Sequence, residues 1–231
     1  MIVRLFRTGG LPPSENEKVV TVDDGRLAVW RSVGVPAVGS FVGQLSASES
    51  ESIQALARRC VEAGDLTAPA VPDSAIDTLL LEGARVEVGQ RARPEGAWGE
   101  LLDVLRPLLE RTDRPHAAIG LELAPDGERA WLRHLGSAAL RVDLSSLRVA
   151  ARLRTPTGEP GGSWATDAAG PAGQIEAGPG WEYELPFGHG FAAGDGTLTA
   201  RAELVVYERE HPVVAELVAS AGGRSPRLRP R

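Results

Sequence analysis

Several residue types are almost missing from this chain, and each shortage closes off a class of protein. Cys60 is the single cysteine among 231 residues, so no disulfide can form within the chain and a cysteine cage for zinc lacks ligands. Its spacing with Ile53, Leu56, Ala57 and Val61 places it on one helical face, as a buried core thiol. Lys18 is the only lysine against 24 arginines; both serve as surface cations, and only the bidentate geometry of arginine differs. No apolar run approaches the roughly 18 residues of a membrane-spanning helix, and the longest stretches are strand-sized. Arg4 and Arg7 interrupt the apolar residues at the amino terminus, which therefore does not read as a secretion signal. A cytoplasmic protein without a membrane span is expected.

Chemical motifs are equally scarce. No HExxH, CxxC, DxDxDG or GxxxxGK[ST] pattern occurs. The four histidines, His116, His134, His189 and His211, are far apart, and none has a second ligand at metal-site spacing. Gly188-His189-Gly190 and Gly194-Asp195-Gly196 set a base and an acid among glycines, but such glycines mark turns before a strand and lack the strand-to-helix context of a phosphate loop. Ser137, Ser145 and Ser146 stand in no nucleophile elbow. Asp126 and Asp143 have no paired acid at fixed spacing. Neither cofactor nor metal nor catalytic residue is expected.

What is present is pattern. Composition is that of a globular protein, 42% hydrophobic and 24% charged, with a net charge of −6. The last eight residues hold four arginines and no acid, so the remaining chain is four units more negative still and repels phosphate backbones; no nucleic-acid partner is expected. Trp98, Leu101, Leu102, Leu105 and Leu109 recur at steps of three and four, which predicts an amphipathic helix over residues 97–115. Pro107 inside it predicts a kink or break near residues 103–105. After it the period changes from helical to two, so the expected boundary is at residue 113: an α+β domain over 1–113, a β-sandwich over 114–221 and a basic, disordered tail over 222–231.

In the first domain the spacing predicts a strand over residues 2–7 ended by Thr8-Gly9-Gly10. A hairpin turns at Asp23-Asp24-Gly25, since Asp-Gly accepts a tight turn, and another strand follows over 41–45. Ser46 and Ser48, each followed three residues on by a glutamate, offer capping boxes for a helix ending at Gly64. A second hairpin spans residues 75–90. The result is an antiparallel sheet with two helices on one face. In the second domain, residues 140–144 and 147–153 read as two separate strands and 198–206 as the longest strand. The Gly/Pro-rich interval 155–179 reads as a long mobile loop, with Trp164 either an exposed anchor for a protein partner or part of a loop folded back over the sandwich. Residues 213–221 read as a short helix. Trp98, Trp131 and Trp181 fall in phase with core faces.

The opening strand ending in Arg7-Thr8-Gly9-Gly10, the acid-rich helix beginning near Ser48-Glu49, the hairpin and the leucine-rich helix from Trp98 resemble the emfourin-type inhibitors of thermolysin-like metallopeptidases over about the first 113 residues. The resemblance implies a small domain that binds a peptidase and blocks its active site, with Gly9 and Gly10 as the residues that carry over. The chain departs from the family at Leu11-Pro12-Pro13, in an extra hairpin before the first helix, and in the second domain. That second domain is similar in general pattern to immunoglobulin-like sandwiches, an architecture that hosts unrelated functions. The expectation is a non-enzymatic, protein-binding protein, a peptidase inhibitor by the resemblance, with partner contacts at Gly9, Gly10, Pro12, Pro13 and Trp164. The alternative is a structural or assembly subunit of a larger complex.

Overall fold

A computed structural model describes residues 1–9, 18–34, 37–64, 66, 75–90, 92–111, 114–166, 173–188, 196–208 and 210–221. Among the described residues the chain is mostly β, with antiparallel sheets and two α-helices. It divides into two units, one of Met1–Val33 with Gly39–Ala118 and one of Gly34–Val38 with Ile119–Arg231. The expected basic tail over 222–231 lies outside the described residues.

The first unit holds β1 (Val3–Thr8), β2 (Lys18–Asp23), β3 (Arg26–Arg31), the start of the two-residue β4 (Val33–Gly34), β5 (Ala37–Gln44), α1 (Ala47–Ala63), β6 (Ile76–Leu81), β7 (Ala84–Gly89), α2 (Gly96–Leu105) and a 3-10 helix (Arg106–Glu110). With the first residues of β8 (Pro115–Leu123), its strands run in the order β8-β5-β3-β2-β1-β6-β7. Two tight hairpins set the registers: Asp24 and Gly25 take φ of 45° and 75° between partners Asp23 and Arg26, and Gly83 takes 83° between Leu81 and Ala84. Positive φ at both central residues, as at Asp24 and Gly25, is the two-residue hairpin turn that suits the strand twist.

One face of this sheet is apolar over two rows. Val3, Leu5, Val20, Val22, Leu27, Val29, Leu79 and Leu81 alternate with more exposed neighbours and are buried, as a strand with one covered face requires. The 3-10 helix lies over β2 and β3, and α1 and α2 pack on each other. Helix α1 starts at a full capping box: the Ser46 hydroxyl accepts from the Glu49 N–H at 3.2 Å while Glu49 accepts from the Ser46 N–H at 2.8 Å. Ile53, Leu56, Ala57 and Cys60 form its buried stripe. The predicted break in the leucine-rich segment falls directly after Leu105, where Pro107 turns the helix into the 3-10 form, since a proline lacks the donor an α-turn needs. The helix expected over 97–115, with a kink or break near 103–105, is ten α-helical residues followed by five 3-10 residues.

In the second unit the rest of β8 pairs in a sheet of order β13-β9-β8, with β9 (Ala130–Gly136) and β13 (Glu182–Glu184). A second sheet runs β11-β10-β14-β15 and comprises β10 (Leu140–Arg154), β11 (Pro160–Thr166), β14 (Thr197–Glu208) and β15 (His211–Ala221), with β12 (Gln174–Ala177) also on β10. Four expectations are corrected here. Residues 140–144 and 147–153 are one strand of 15 residues, longer than the 12-residue β14. Between Asp143 and Arg148 the register against β14 slips, and this bulge flips which residues face inward, so Leu144 and Leu147 are both buried. The Ser146 hydroxyl splices the gap, donating to Asp143 O at 2.6 Å and accepting from Val205 N–H at 2.8 Å. The interval read as a loop contains β11 and β12, with residues 167–172 outside the described set. Residues 213–221 are strand, paired along their length with β14, because the long neighbouring strand offers a hydrogen-bond ladder that a lone nine-residue helix has no equivalent for.

Candidate functional site

The third row of the first unit's covered face is charged. Arg31 on β3 is the direct partner of Lys18 on β2, Lys18 of Arg7 on β1, and Arg7 of Asp77 on β6. Partners in an antiparallel ladder project to the same side, so three cations and one carboxylate stand in line where the two rows before them are valine and leucine. Above them the 3-10 helix contributes Arg106 and Glu110.

Asp77 is fully buried and is held from both sides. Arg7 Nε and Nη2 donate to its two oxygens at 2.7 and 3.1 Å, and Arg106 Nε donates at 2.8 Å. Arg106 also donates to the carbonyl of Ala92 at 3.2 Å, tying the segment before α2 into the cluster. Glu110 accepts from Lys18 Nζ at 2.5 Å and lies 3.8 Å from Arg31 Nη2. Burial pushes the Glu110 carboxyl up, but the Lys18 hydrogen bond and the charges of Lys18, Arg31 and Arg7 outweigh it and leave it below the ordinary value. Burial pulls the Arg31 guanidinium down, with Glu110 acting the other way; its Nε donates to Val33 O at 3.1 Å. Four cations thus meet two carboxylates.

This cluster fixes the two stems of one connection. Arg7 is one residue from the end of β1, Lys18 is the first residue of β2, and the connection between them holds Gly9 to Pro13. Gly9 takes φ of 91°, a conformation open to glycine. Gly10, Pro12 and Pro13, expected as partner contacts, lie outside the described residues. The fifth expected contact, Trp164, stands on β11 and not in a loop. It is half-buried, opposite Ala151, with its ring edge-on to Phe187 at 5.6 Å between centroids.

Sequence reasoning missed the charged row, although each strand carried a trace of it. Arg7 keeps phase with Val3 and Leu5, and Asp77 with Leu79 and Leu81, so a charge at an inward position was readable in each. Only the register brings them together across 70 residues.

Three of the four histidines are among the described residues. His134 is buried, with Nε2 2.8 Å from Ala138 O, which assigns the proton to Nε2; His116 and His211 are exposed. His189 and Asp195 lie outside the described residues. Among the described residues, no group of three or more His, Cys, Asp or Glu is placed to hold a metal ion. Asp126 and Asp143 close turns, accepting from the N–H of Glu128 and Ser145 at 3.0 Å each. Cys60 is buried, and desolvation pushes its thiol up to about 11. Trp98 is core, its Nε1 donating to Gly64 O at 3.1 Å. Trp131, expected in the core, is corrected to a half-exposed residue on β9 with the guanidinium groups of Arg129 and Arg133 at 5.0 and 5.5 Å from its ring. Among the described residues, no helix is long and apolar enough to cross a membrane. No family model matches this chain, and no curated protein or solved structure does either.

Proposed function

We propose that this chain is a non-enzymatic binding protein whose partner is another protein, engaged through the connection over residues 9–17, and that the partner is a thermolysin-like metallopeptidase which it inhibits. One observation carries the reading: both stems of that connection are pinned by charge, Arg7 to the fully buried Asp77 and Lys18 to Glu110. Pinned stems hold β1 and β2 as a fixed base on either side of it, and binding segments are characteristically carried on such rigid platforms. The resemblance of Arg7-Thr8-Gly9-Gly10 to the inhibitor family names the same stretch. Trp164, whose ring already packs on Phe187, is not needed for this contact.

The rival reading, a subunit that assembles by edge-to-edge strand pairing, finds less support. Edge strand β7 carries the Arg85–Glu87 ion pair, β13 carries Glu182 and Glu184, and β11 opens with Pro160-Gly161-Gly162. Charges, proline and glycine oppose pairing with another chain at these three edges. For the second unit we keep the immunoglobulin-like sandwich as a proposal, supported by the alternating buried positions of β10 and β14.

The test is hydrolysis of a peptide substrate by a thermolysin-like peptidase titrated with the full chain. Stoichiometric inhibition is expected, weakened at least tenfold in Pro12→Gly/Pro13→Gly and in Lys18→Met. Full peptidase activity at equimolar chain, with no complex on size exclusion, rejects the inhibitor reading. A sedimentation profile of self-association with no partner would favour the assembly subunit instead.

A further inference from the structure

At the other end of strands β3 and β5 from the charged row lies a cavity of about 270 Å3, lined by Leu27, Val29, Phe41, Val42, Gly43, Gln44, Arg111 and Arg114. All belong to the first unit. Leu27, Val29 and Phe41 are almost fully buried and make an apolar floor. Gly43 is the cross-strand partner of Leu27, and the space exists because that position has no side chain: a Cβ built there would meet Leu27 Cδ2 at 3.6 Å, ordinary contact. The backbone of Gly43 does not adopt a positive φ, so nothing in its conformation calls for glycine.

The wall is cationic. Arg111 donates to Glu49 Oε1 at 2.5 Å, so its charge is matched. Arg114 is exposed and has no carboxylate within ion-pair distance among the described residues. Its backbone is anchored, since Arg114 O accepts from Val42 N–H at 2.9 Å. Among the described residues, one guanidinium thus stands without a carboxylate beside an apolar floor, in a chain that is acidic overall. A carboxylate offers a guanidinium two parallel hydrogen bonds, and an apolar group attached to it would cover Leu27, Val29 and Phe41.

We propose that this cavity binds a small monocarboxylate bearing a branched aliphatic or aromatic group, either as a free acid or as the last residue of a peptide chain. At about 270 Å3 the cavity is just under the roughly 300 Å3 at which ligand cavities begin, so only a small ligand suits it. The site is separate from the proposed peptidase contact, and its test does not depend on that contact.

The experiment is titration of the full chain with 4-methylpentanoate, its neutral amide, and acetyl-alanyl-leucine with free or amidated terminus, followed by amide chemical shifts. Shifts centred on Val42, Gly43 and Arg114 are expected with the free acids, at about 10 mM probe, against a dissociation constant of about 1 mM for ligands this small. Arg114→Gln should weaken binding at least tenfold, and Gly43→Val, which fills the cavity, should abolish it. Gly43→Ala controls for folding and should retain the fold while weakening binding. Tighter binding of the acetyl dipeptide than of 4-methylpentanoate identifies a chain terminus as the ligand, and the reverse identifies a free acid. Equal binding of acid and amide, unchanged binding in Gly43→Val, or no shift at the highest concentration overturns the proposal.

Discussion

Replacing Asp77 by asparagine keeps the shape of the side chain and removes only its charge, which isolates what the charged row contributes. The carboxylate is wholly buried, while the side chains of Arg7 and Arg106 retain 14% and 16% of their exposure. Deleting one member of a buried ionic cluster costs about 3–5 kcal/mol, because the remaining charges stay desolvated without a partner. The slight exposure of both arginines lets water reach them, so about 3 kcal/mol is expected. Cys60 supplies the assay. It is the only cysteine and is buried in the first unit, so it is expected to react only when that unit opens. Thiol labelling in moderate urea therefore reads the opening free energy of this unit alone, and 3 kcal/mol corresponds to labelling about a hundredfold faster. A rate within about threefold of the parent, less than 1 kcal/mol, would refute the claim that the carboxylate is an obligatory counterion. The triple change Arg7→Met, Asp77→Leu, Arg106→Met should be far milder than Asp77→Asn, since it removes the charges together.

Other consequences are as sharp. Gly39→Ala should destabilise the first unit by more than about 1 kcal/mol in urea unfolding, because φ there is 118° and a Cβ would sit 2.4 Å from Ala117 O; an unchanged midpoint would contradict the close approach of β5 and β8. Glu49 is held down to about 2 from 4.5, first by the Ser46 N–H, then by the Ser46 hydroxyl and Arg111. A carboxyl lowered by folding adds stability above its unfolded value and loses it as pH falls, so the parent should weaken between 4.5 and about 2. Glu49→Gln should flatten that interval of an acid titration; an identical profile would remove Glu49 as its source. With its thiol pushed up to about 11, native Cys60 should resist iodoacetamide at about pH 8 and react once unfolded; rapid native alkylation would contradict its burial.

Local chemistry made parts of this fold readable. Asp24-Gly25 names its own hairpin, Ser46 with Glu49 names a helix start, and Pro107 names a helix end, because each acts on backbone within a turn. What depends on partners distant in sequence was not readable. Leu144 and Leu147 are out of phase, which reads as two strands until the Ser146 hydroxyl is seen bridging one bulged strand. Gly161 and Gly162 look like loop because an edge strand needs little of its own side chains when its neighbour supplies the ladder. Val213 and Val214 belong to an apolar run too short for periodicity to separate helix from strand. Of the candidate site, Gly9 and Gly10 were visible as a strand end, but the counterions that pin it lie on β6 and the 3-10 helix, where only register and packing deliver them.

Pro107 has an influence beyond ending a helix. Over the four steps from Arg106 to Glu110, a 3-10 winding turns about 80° further than an α-helix and climbs about 2 Å more. That extra rotation is what aims Glu110 at Lys18 and Arg31. An uncharged imino acid therefore governs an electrostatic lock, and restoring an α-helical turn through Pro107→Ala would swing the glutamate aside and free the start of β2 with every charged residue still in the chain.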